Sequence, residues 1–594
     1  MQNHTPTMDF TAIGQQTQQM LEQFMQQAQK AADGQKAQNT MEGLQPILRG
    51  FAEFGASMMK DPQKLMQMQF DLYQANLALW ASMAERAMGK TDVAPIAMPE
   101  KDDRRFNAES WQNMMMFDFI KQSYLLVSKW LMDMVHDTKD MSPEAKKKVA
   151  FYTRQFVDAM SPTNFPLTNP DVLQAAINSN GQSLMDGLTN LLNDMKTGRV
   201  SMTDYAAFEV GKNLGVTKGE VVFRNRLIEL IQYTPTTAKV HERPLLISPP
   251  WINRFYILDL QPSNSLVKFA VEQGFQVFMI SWKNPDASYR DVSFEDYMQD
   301  GMLAAVEHTL AITGAKDLNA VGYCIGGTLL GATLAVMKKK NDKRIANATF
   351  LTTLMDFTNA GEIDIFIDEE QVALLEKKMQ AQGYLDGRDM ASSFALLRAN
   401  DLIWGFVINN YLYGKTPMPF DILYWNDDST RMPAAMHSYY LRNMYLENNL
   451  AKKDKLTLLG EKVDLSAIDI PIYMLCGQQD HITPWASCYA PLATMASADK
   501  TFTLNNTGHV AGVACPSTPA GKPVKRAYWT GKVTEKDAQA WFSKQEKLPD
   551  SWWPHWAAWM KARAGKEVTA PKTMGDAKHK PLCAAPGVYV NERG

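Results

Sequence analysis

Cysteine is scarce in this chain of 594 residues: five only, Cys324, Cys476, Cys488, Cys515 and Cys583, scattered and without a C-x-x-C pair. Neither a disulfide scaffold nor a zinc ribbon fits that pattern. No grouping of ligand residues reads as a metal site, and no metal or separate cofactor is expected. A run of 18 apolar residues is also missing, so no transmembrane segment is expected. Charge of one sign is in short supply too. Lys and Arg number 61 against 64 Asp and Glu, a net −3, which argues against a nucleic-acid partner. No G-x-x-x-x-G-K-[ST] occurs, so no P-loop is present. The opening MQNHTPTMDFTAIGQQTQQM lacks a basic n-region and an apolar h-region, which reads as a cytoplasmic protein with reduced thiols. The balance of 45% apolar and 21% charged residues is that of a globular chain.

Methionine is abundant, at 37, and much of it precedes residue 140. Residues 1–40 are Gln-rich, and Met20, Leu21, Phe24, Met25 and Ala28 predict a weak amphipathic helix. Met66, Phe70, Tyr73, Leu77, Trp80 and Ala84 then form a row at alternating steps of four and three, beside a second row of Met68, Leu72, Ala75 and Leu79. The first row suits the buried face of a bundle helix better than a dimer seam or an anchor to a hydrophobic surface. A Pro-containing, charged stretch at 88–104 reads as a linker. Residues 106–200 are helical again, with start signals at Ser142-Pro143 and Asn169-Pro170. The expected organisation is a helical leader, 1–95, for contact with a granule, a partner or a second copy, a helical N-terminal domain, 96–205, and a catalytic domain, 206–594.

After residue 205 short β-branched runs alternate with helical stretches. The runs are 243–248, 275–282, 318–323, 347–354, 471–476 and 501–506. This predicts an α/β fold with a doubly wound, mainly parallel sheet. The alternation lapses between 354 and 471, where Trp, Tyr and Phe accumulate, and a cap inserted at about 355–445 is expected. Its aromatics include Trp404, Tyr411, Tyr413 and Trp425.

The sharpest motif is Gly322-Tyr323-Cys324-Ile325-Gly326-Gly327, between a strand and a helix. That is the context of a nucleophile elbow with Cys in place of Ser. The turn is strained, so small residues must flank it, and the helix N-terminus that follows favours a thiolate. A thiol needs a base, and the base an orienting acid, in the chain order nucleophile, acid, His. Of the nine histidines, His481 and His509 lie downstream of Cys324 in loops at strand ends. The acid belongs after the penultimate strand and the His after the last, which selects Asp480 and His509. His481 then reads as a loop-orienting neighbour, and Asp356 is a rival acid one strand too early. One oxyanion donor is the N–H of Ile325. The second is expected after strand 243–248, where Pro249 and Pro250 have no N–H. It falls to Trp251, Ile252 or Asn253, with Ile252 preferred.

GYCIGGT, PPWINRFYILDLQPSNSLV, ISWKNPD, FLTTLMDFTNAGEIDIFID, FALLRANDLIW, PFDILYWNDDSTRMP, QQDHITPW, NTGHVAGV and SWWPHW together resemble class I polyhydroxyalkanoate synthases, from about residue 102 to the C-terminus. The resemblance implies an α/β-hydrolase fold with a lid, and polymerisation of short-chain (R)-3-hydroxyacyl-CoA with release of CoA. It also implies a dimer, cytoplasmic storage granules and granule-associated proteins. Cys324 would carry the acyl and polyester chain. His509 would be the base, and Asp480 would orient it or activate the acceptor hydroxyl. Residues 355–445 match the lid. Arg398, in LLRAND, is a candidate for a CoA phosphate or equally for a structural salt bridge, and Asn253 and His481 are further candidates for substrate contact. CoA is then part of the substrate, not a cofactor. A thioesterase or lipase-like hydrolase would use the same residues, and a non-catalytic granule-surface scaffold is the reading from another class.

Overall fold

A computed structural model describes residues 35–101 and 103–593. The helix expected around Met20, Leu21, Phe24, Met25 and Ala28 lies outside the described residues. The chain divides into two compact units, one running up to Thr203 together with Ala395–Met418, the other formed by Asp204–Phe394 and Pro419–Gly594.

The first unit is helical. Its helices are α1 (Gln35–Met59), α2 (Pro62–Ala87), α3 (Met115–Asp137), α4 (Pro143–Ala159), α5 (Pro170–Asn178) and α6 (Gln182–Thr197). Asp61, Ser142 and Asn169 cap three of them, each followed by a proline whose missing N–H costs nothing at a helix start. Helix α1 packs on α4, and α2 on α3. The described part of the expected leader, 35–95, shares one unit with residues 103–203. The rows of α2 are also inverted relative to expectation. Leu79 of the second row is fully buried, whereas Met66, Phe70, Tyr73, Leu77 and Trp80 are 49–62% exposed.

Residues 395–418 join this unit by close approach. A Cβ on Gly187 would lie 1.8 Å from the Tyr411 carbonyl oxygen, and the Tyr411 hydroxyl donates to Asp194 at 2.8 Å. The expected cap is thus divided. Trp404, Tyr411 and Tyr413 belong to the helical unit, and Trp425 to the other.

The second unit is built on an 11-stranded sheet. Its strands are β1 (Gly219–Arg224), β2 (Ile228–Tyr233), β3 (Leu245–Ser248), β4 (Val277–Trp282), β5 (Leu318–Tyr323), β6 (Ile345–Leu351), β7 (Ile472–Gly477), β8 (Lys500–Asn505), β9 (Ala527–Lys532), β10 (Leu548–Pro549) and β11 (Cys583–Ala584). They lie in the order β10-β9-β8-β7-β6-β5-β3-β4-β2-β1-β11. From β3 to β8 all neighbours are parallel, and β1, β2, β9, β10 and β11 add antiparallel margins. Strands β2, β3, β4, β5 and β7 are buried along their whole length, as expected of strands covered on both faces. Each of the six strands expected from the apolar runs is present, displaced by at most three residues at either end. The cap of this unit lies between β6 and β7. It holds a short 3₁₀ turn (Gly361–Phe366), helix Glu369–Gln382, helix Ala434–Tyr440 and the wider turn Leu441–Leu446.

Candidate active site

Three strand ends of the parallel core carry the site. At the end of β5, Cys324 adopts φ 53°, ψ −125°, and helix Ile325–Lys339 begins at the next residue. Such a conformation is costly for a non-glycine residue and must be enforced by its surroundings. The enforcement is visible. The Cys324 N–H donates to the Leu351 carbonyl at 2.9 Å, and the Cys324 carbonyl accepts from the N–H groups of Gly327 and Thr328. A Cβ on Gly322 would lie 2.5 Å from Gly327 Cα, one on Gly326 2.4 Å from the Ser248 carbonyl oxygen, and one on Gly327 2.0 Å from Thr353 Oγ1. All three approaches are sterically closed to any other residue, which explains the run of glycines around the cysteine.

Asp480 follows β7 and His509 follows β8, and both are buried. His509 Nδ1 stands 2.7 Å from Asp480 Oδ2. The carboxylate also accepts from the backbone N–H groups of Ile482 and Thr483, each at 2.9 Å, and from the Thr483 hydroxyl at 2.7 Å. Burial raises the Asp480 pKa, but His509 and these donors outweigh it and hold the carboxyl below its usual range. Burial likewise lowers the His509 pKa, yet the Asp480 carboxylate and the sulfur of Cys324 push it well above 6.5. The loop bearing His509 is clamped by the C-terminal SWWPHW segment. The indole N–H of Trp552 donates to the Gly512 carbonyl at 2.7 Å, and that of Trp553 to Val513 at 3.0 Å.

The loop after β3 closes against the elbow, as the approach of Gly326 to Ser248 and Pro249 requires. The Ile252 carbonyl accepts from the Thr430 N–H at 2.9 Å, and the Asn253 amide donates to the carbonyls of Trp425 and Asn426 at 3.4 and 3.3 Å. The Trp425 indole donates to the Arg254 carbonyl at 2.7 Å. Asn253 and Trp425 thus tie this loop to the cap. The N–H of Ile325 lies in the first turn of its helix, where no intrahelical acceptor exists.

A cavity of about 120 Å³ opens above Cys324, lined by Ile252, Ile325, Thr483 and by cap residues such as Val372, Leu375 and Tyr440. The remaining expected residues fall elsewhere. Arg398 belongs to the helical unit and pairs with Asp401. His481 is not among the lining residues, although its neighbours Ile482 and Thr483 are. Asp356 accepts from the N–H and hydroxyl of Thr358 and from Asn448, which orders its own loop. Its carboxyl is pushed up by burial and, more strongly, down by those donors. Thr483 and His437 were not singled out from sequence. Thr483 sits three residues beyond Asp480, an N-cap-like spacing that does signal a hydroxyl folding back on a carboxylate. His437 lines the cavity from the cap, where no periodic pattern marks it. Among the described residues, no group of three or more His, Cys, Asp or Glu is placed to hold a metal, and no helix is long and apolar enough to cross a membrane.

Comparison with known proteins adds an independent finding. Residues 102–270 match the family model described as the poly-beta-hydroxybutyrate polymerase (PhaC) N-terminus, and residues 247–513 match that of the alpha/beta hydrolase fold. The chain is 42% identical over 598 residues to the poly(3-hydroxyalkanoate) polymerase of Methylorubrum extorquens, covering 98% of each chain. It is 41% identical to the poly(3-hydroxyalkanoate) polymerase subunit PhaC of Rhizobium meliloti, with 94% of this chain and 91% of that one covered. The corresponding subunit of Cupriavidus necator is also 41% identical, over 87% of this chain and 86% of its own. Among solved structures, a monoacylglycerol lipase from Paleococcus ferrophilus is similar at 14% identity, over 48% of this chain and 90% of that one, with a TM-score of 0.30.

Proposed function

This chain belongs to the poly(3-hydroxyalkanoate) polymerase family, and from that premise we propose that it builds the polyester on Cys324. The family makes it an enzyme of acyl transfer. The donor is the CoA thioester of a short (R)-3-hydroxy acid. The observation that carries the reading is the conjunction of a strained, glycine-walled thiol with a buried His509–Asp480 pair beneath an apolar cavity.

The chemistry follows from these groups. The Cys324 thiolate attacks the thioester carbonyl, and the N–H groups of Ile325 and Ile252 receive the oxyanion. CoA leaves as its thiolate and takes the proton held by His509. Thiol–thioester exchange is nearly isoenergetic, so the acyl group on sulfur stays activated for attack by a hydroxyl. Elongation is a second general-base event: His509, held by Asp480, removes the proton of a 3-hydroxyl, whose oxygen attacks the acyl group on Cys324, forming the ester as the carbon–sulfur bond breaks and Cys324 leaves as its thiolate. An apolar cavity disfavours water, whose attack would end the chain. CoA is consumed as substrate and released as product, and no separate cofactor takes part.

The exposed row Met66, Phe70, Tyr73, Leu77 and Trp80 of α2 is the surface we assign to the polyester granule or a second copy of the chain. The enzyme then works in the cytoplasm at the granule surface. Two measurements test the reading. With (R)-3-hydroxybutyryl-CoA, the intact chain should release CoA and deposit insoluble polymer, and Cys324→Ala should do neither. Free hydroxy acid in place of polymer would favour the hydrolase reading. Serine replacement of the α2 row should weaken granule attachment or self-association while leaving CoA release within about threefold, and unchanged attachment together with unchanged sedimentation would refute that assignment.

A further inference from the structure

The polar side chains that line the cavity differ in one respect. Gln371 donates to the Ile365 carbonyl at 3.1 Å, Asp389 pairs with Lys378, and the Ser393 hydroxyl donates to the Asp389 carbonyl at 3.0 Å. Thr328 donates to the Leu354 carbonyl at 2.8 Å, and Thr483 to Asp480 at 2.7 Å. Each of these side chains is satisfied within the protein. His437 is not. It lines the same cavity as Cys324, is 2% exposed, and neither Nδ1 nor Nε2 has a hydrogen-bond partner among the described residues.

Buried polar groups without partners are rare, because desolvating a donor or acceptor without replacement is costly. The place of His437 in the wall of the cavity that Cys324 also lines makes a substrate group the natural partner. Resting on the reading of Cys324 as the acyl carrier, we propose that His437 is a substrate-binding residue that hydrogen-bonds the 3-hydroxyl of the acyl unit and so selects hydroxylated acyl groups.

The chemistry narrows the choice of partner. The acyl carbonyl is assigned to the backbone donors at the elbow. The polar group left on a short 3-hydroxyacyl chain is its hydroxyl, which both donates and accepts. A neutral imidazole offers one N–H and one bare nitrogen, so either tautomer can meet it. Burial supports the neutral form, pushing the His437 pKa down to about 4. Such a ring can bind a hydroxyl without placing a cation in the apolar cavity.

The test compares (R)-3-hydroxybutyryl-CoA with butyryl-CoA, which lacks the hydroxyl, in single-turnover acylation followed by rapid quench. The intact enzyme should acylate faster with the hydroxylated donor. His437→Leu should lose about tenfold or more of that preference, by slowing the hydroxylated donor while leaving butyryl transfer unchanged or faster. His437→Gln, which keeps a donor and an acceptor, should restore most of it. An unchanged preference in His437→Leu overturns the proposal. So does an equal slowing of both donors in both variants, which would mark His437 as a packing residue. Absence of acyl-enzyme in the unaltered protein is a third and separate result, and it would overturn the role of Cys324 as well.

Discussion

The floor of the cavity and its cap are made in opposite ways. The floor is the end of a parallel sheet whose strands are wholly buried, and its turn is walled by three glycines that no side chain can replace. Each polar atom that matters there has a fixed partner: His509 has Asp480, Asp480 has Thr483, and the His509 loop has two indoles. The cap is assembled from short helices and the wide turn Leu441–Leu446, and it meets the cavity chiefly with apolar side chains. Wide turns of this kind recur at functional sites. Among the described residues, His437 is the polar side chain that lines the cavity from the cap without a partner. The floor has rigid geometry suited to one chemistry, and the cap has a replaceable surface suited to choosing the acyl group. Removing groups from the floor should therefore lower the rate for every substrate, and changing the cap should alter their ranking.

The largest break comes from the base. His509→Ala should lower CoA release by about 10²–10⁴-fold for every acyl length, as steady-state kinetics across a chain-length series would reveal. A length-dependent loss would erase the distinction between floor and cap.

Asp480→Asn sharpens the same point through pH. The His509 pKa is raised in the folded protein, so its contribution to stability is complete below about 6.5 and is lost as pH rises through the raised value. The Asp480 pKa is lowered, so its contribution is complete above about 3.8 and is lost as pH falls through the lowered value. The stability difference between the native chain and Asp480→Asn should therefore be widest between those two pH values and narrow on either side. Calorimetry over a pH series measures it, and a constant difference would show that the pair is not ionised. In the variant the Asp480 charge no longer raises the ring, and the His509 resonance should titrate at lower pH than in the native chain.

Gly327→Ala addresses the rigidity itself. Its Cβ would meet Thr353 Oγ1 at 2.0 Å, so a loss of about 1–3 kcal/mol in stability is expected from overpacking, with a lower acylation rate. A fully stable and active variant would mean that the elbow has slack.

The smallest effect belongs to the cap. Leu375→Ala should widen the cavity and raise the rate with longer acyl donors relative to the four-carbon one, while changing the latter by less than about threefold. Equal losses at all lengths would assign the cap to catalysis.

The same contrast governs what could be read from the chain. The elbow was legible because its constraints are local: glycines at fixed offsets between a β-branched run and a helix. Strand β5 was expected at 318–323 and lies there. Asp480 and His509 were legible from strand order, since the topology brings the last two loops of the parallel core beside the elbow. The antiparallel β1, β2 and β9 were missed because GEVVFR, IELIQY and AYWTGK carry charged or polar residues that break an apolar run. The inner row of α2 was misread because both of its rows are apolar, and periodicity gives a stripe without saying what covers it. Arg398 reads equally as a phosphate contact or a structural salt bridge, and it pairs with the carboxylate three residues on. His437 left no signal at all, since its meaning lies in the hydrogen bonds it does not make.

The central claim is that the acyl group rides on one sulfur. The most direct measurement is rapid-quench trapping of radiolabelled (R)-3-hydroxybutyryl-CoA on the native chain, followed by digestion and peptide mapping. The account predicts label on the peptide containing Cys324, base-labile as a thioester, forming no more slowly than CoA appears and missing from Cys324→Ala. Polymer formation with no label at Cys324, or full CoA release by Cys324→Ala, would contradict it.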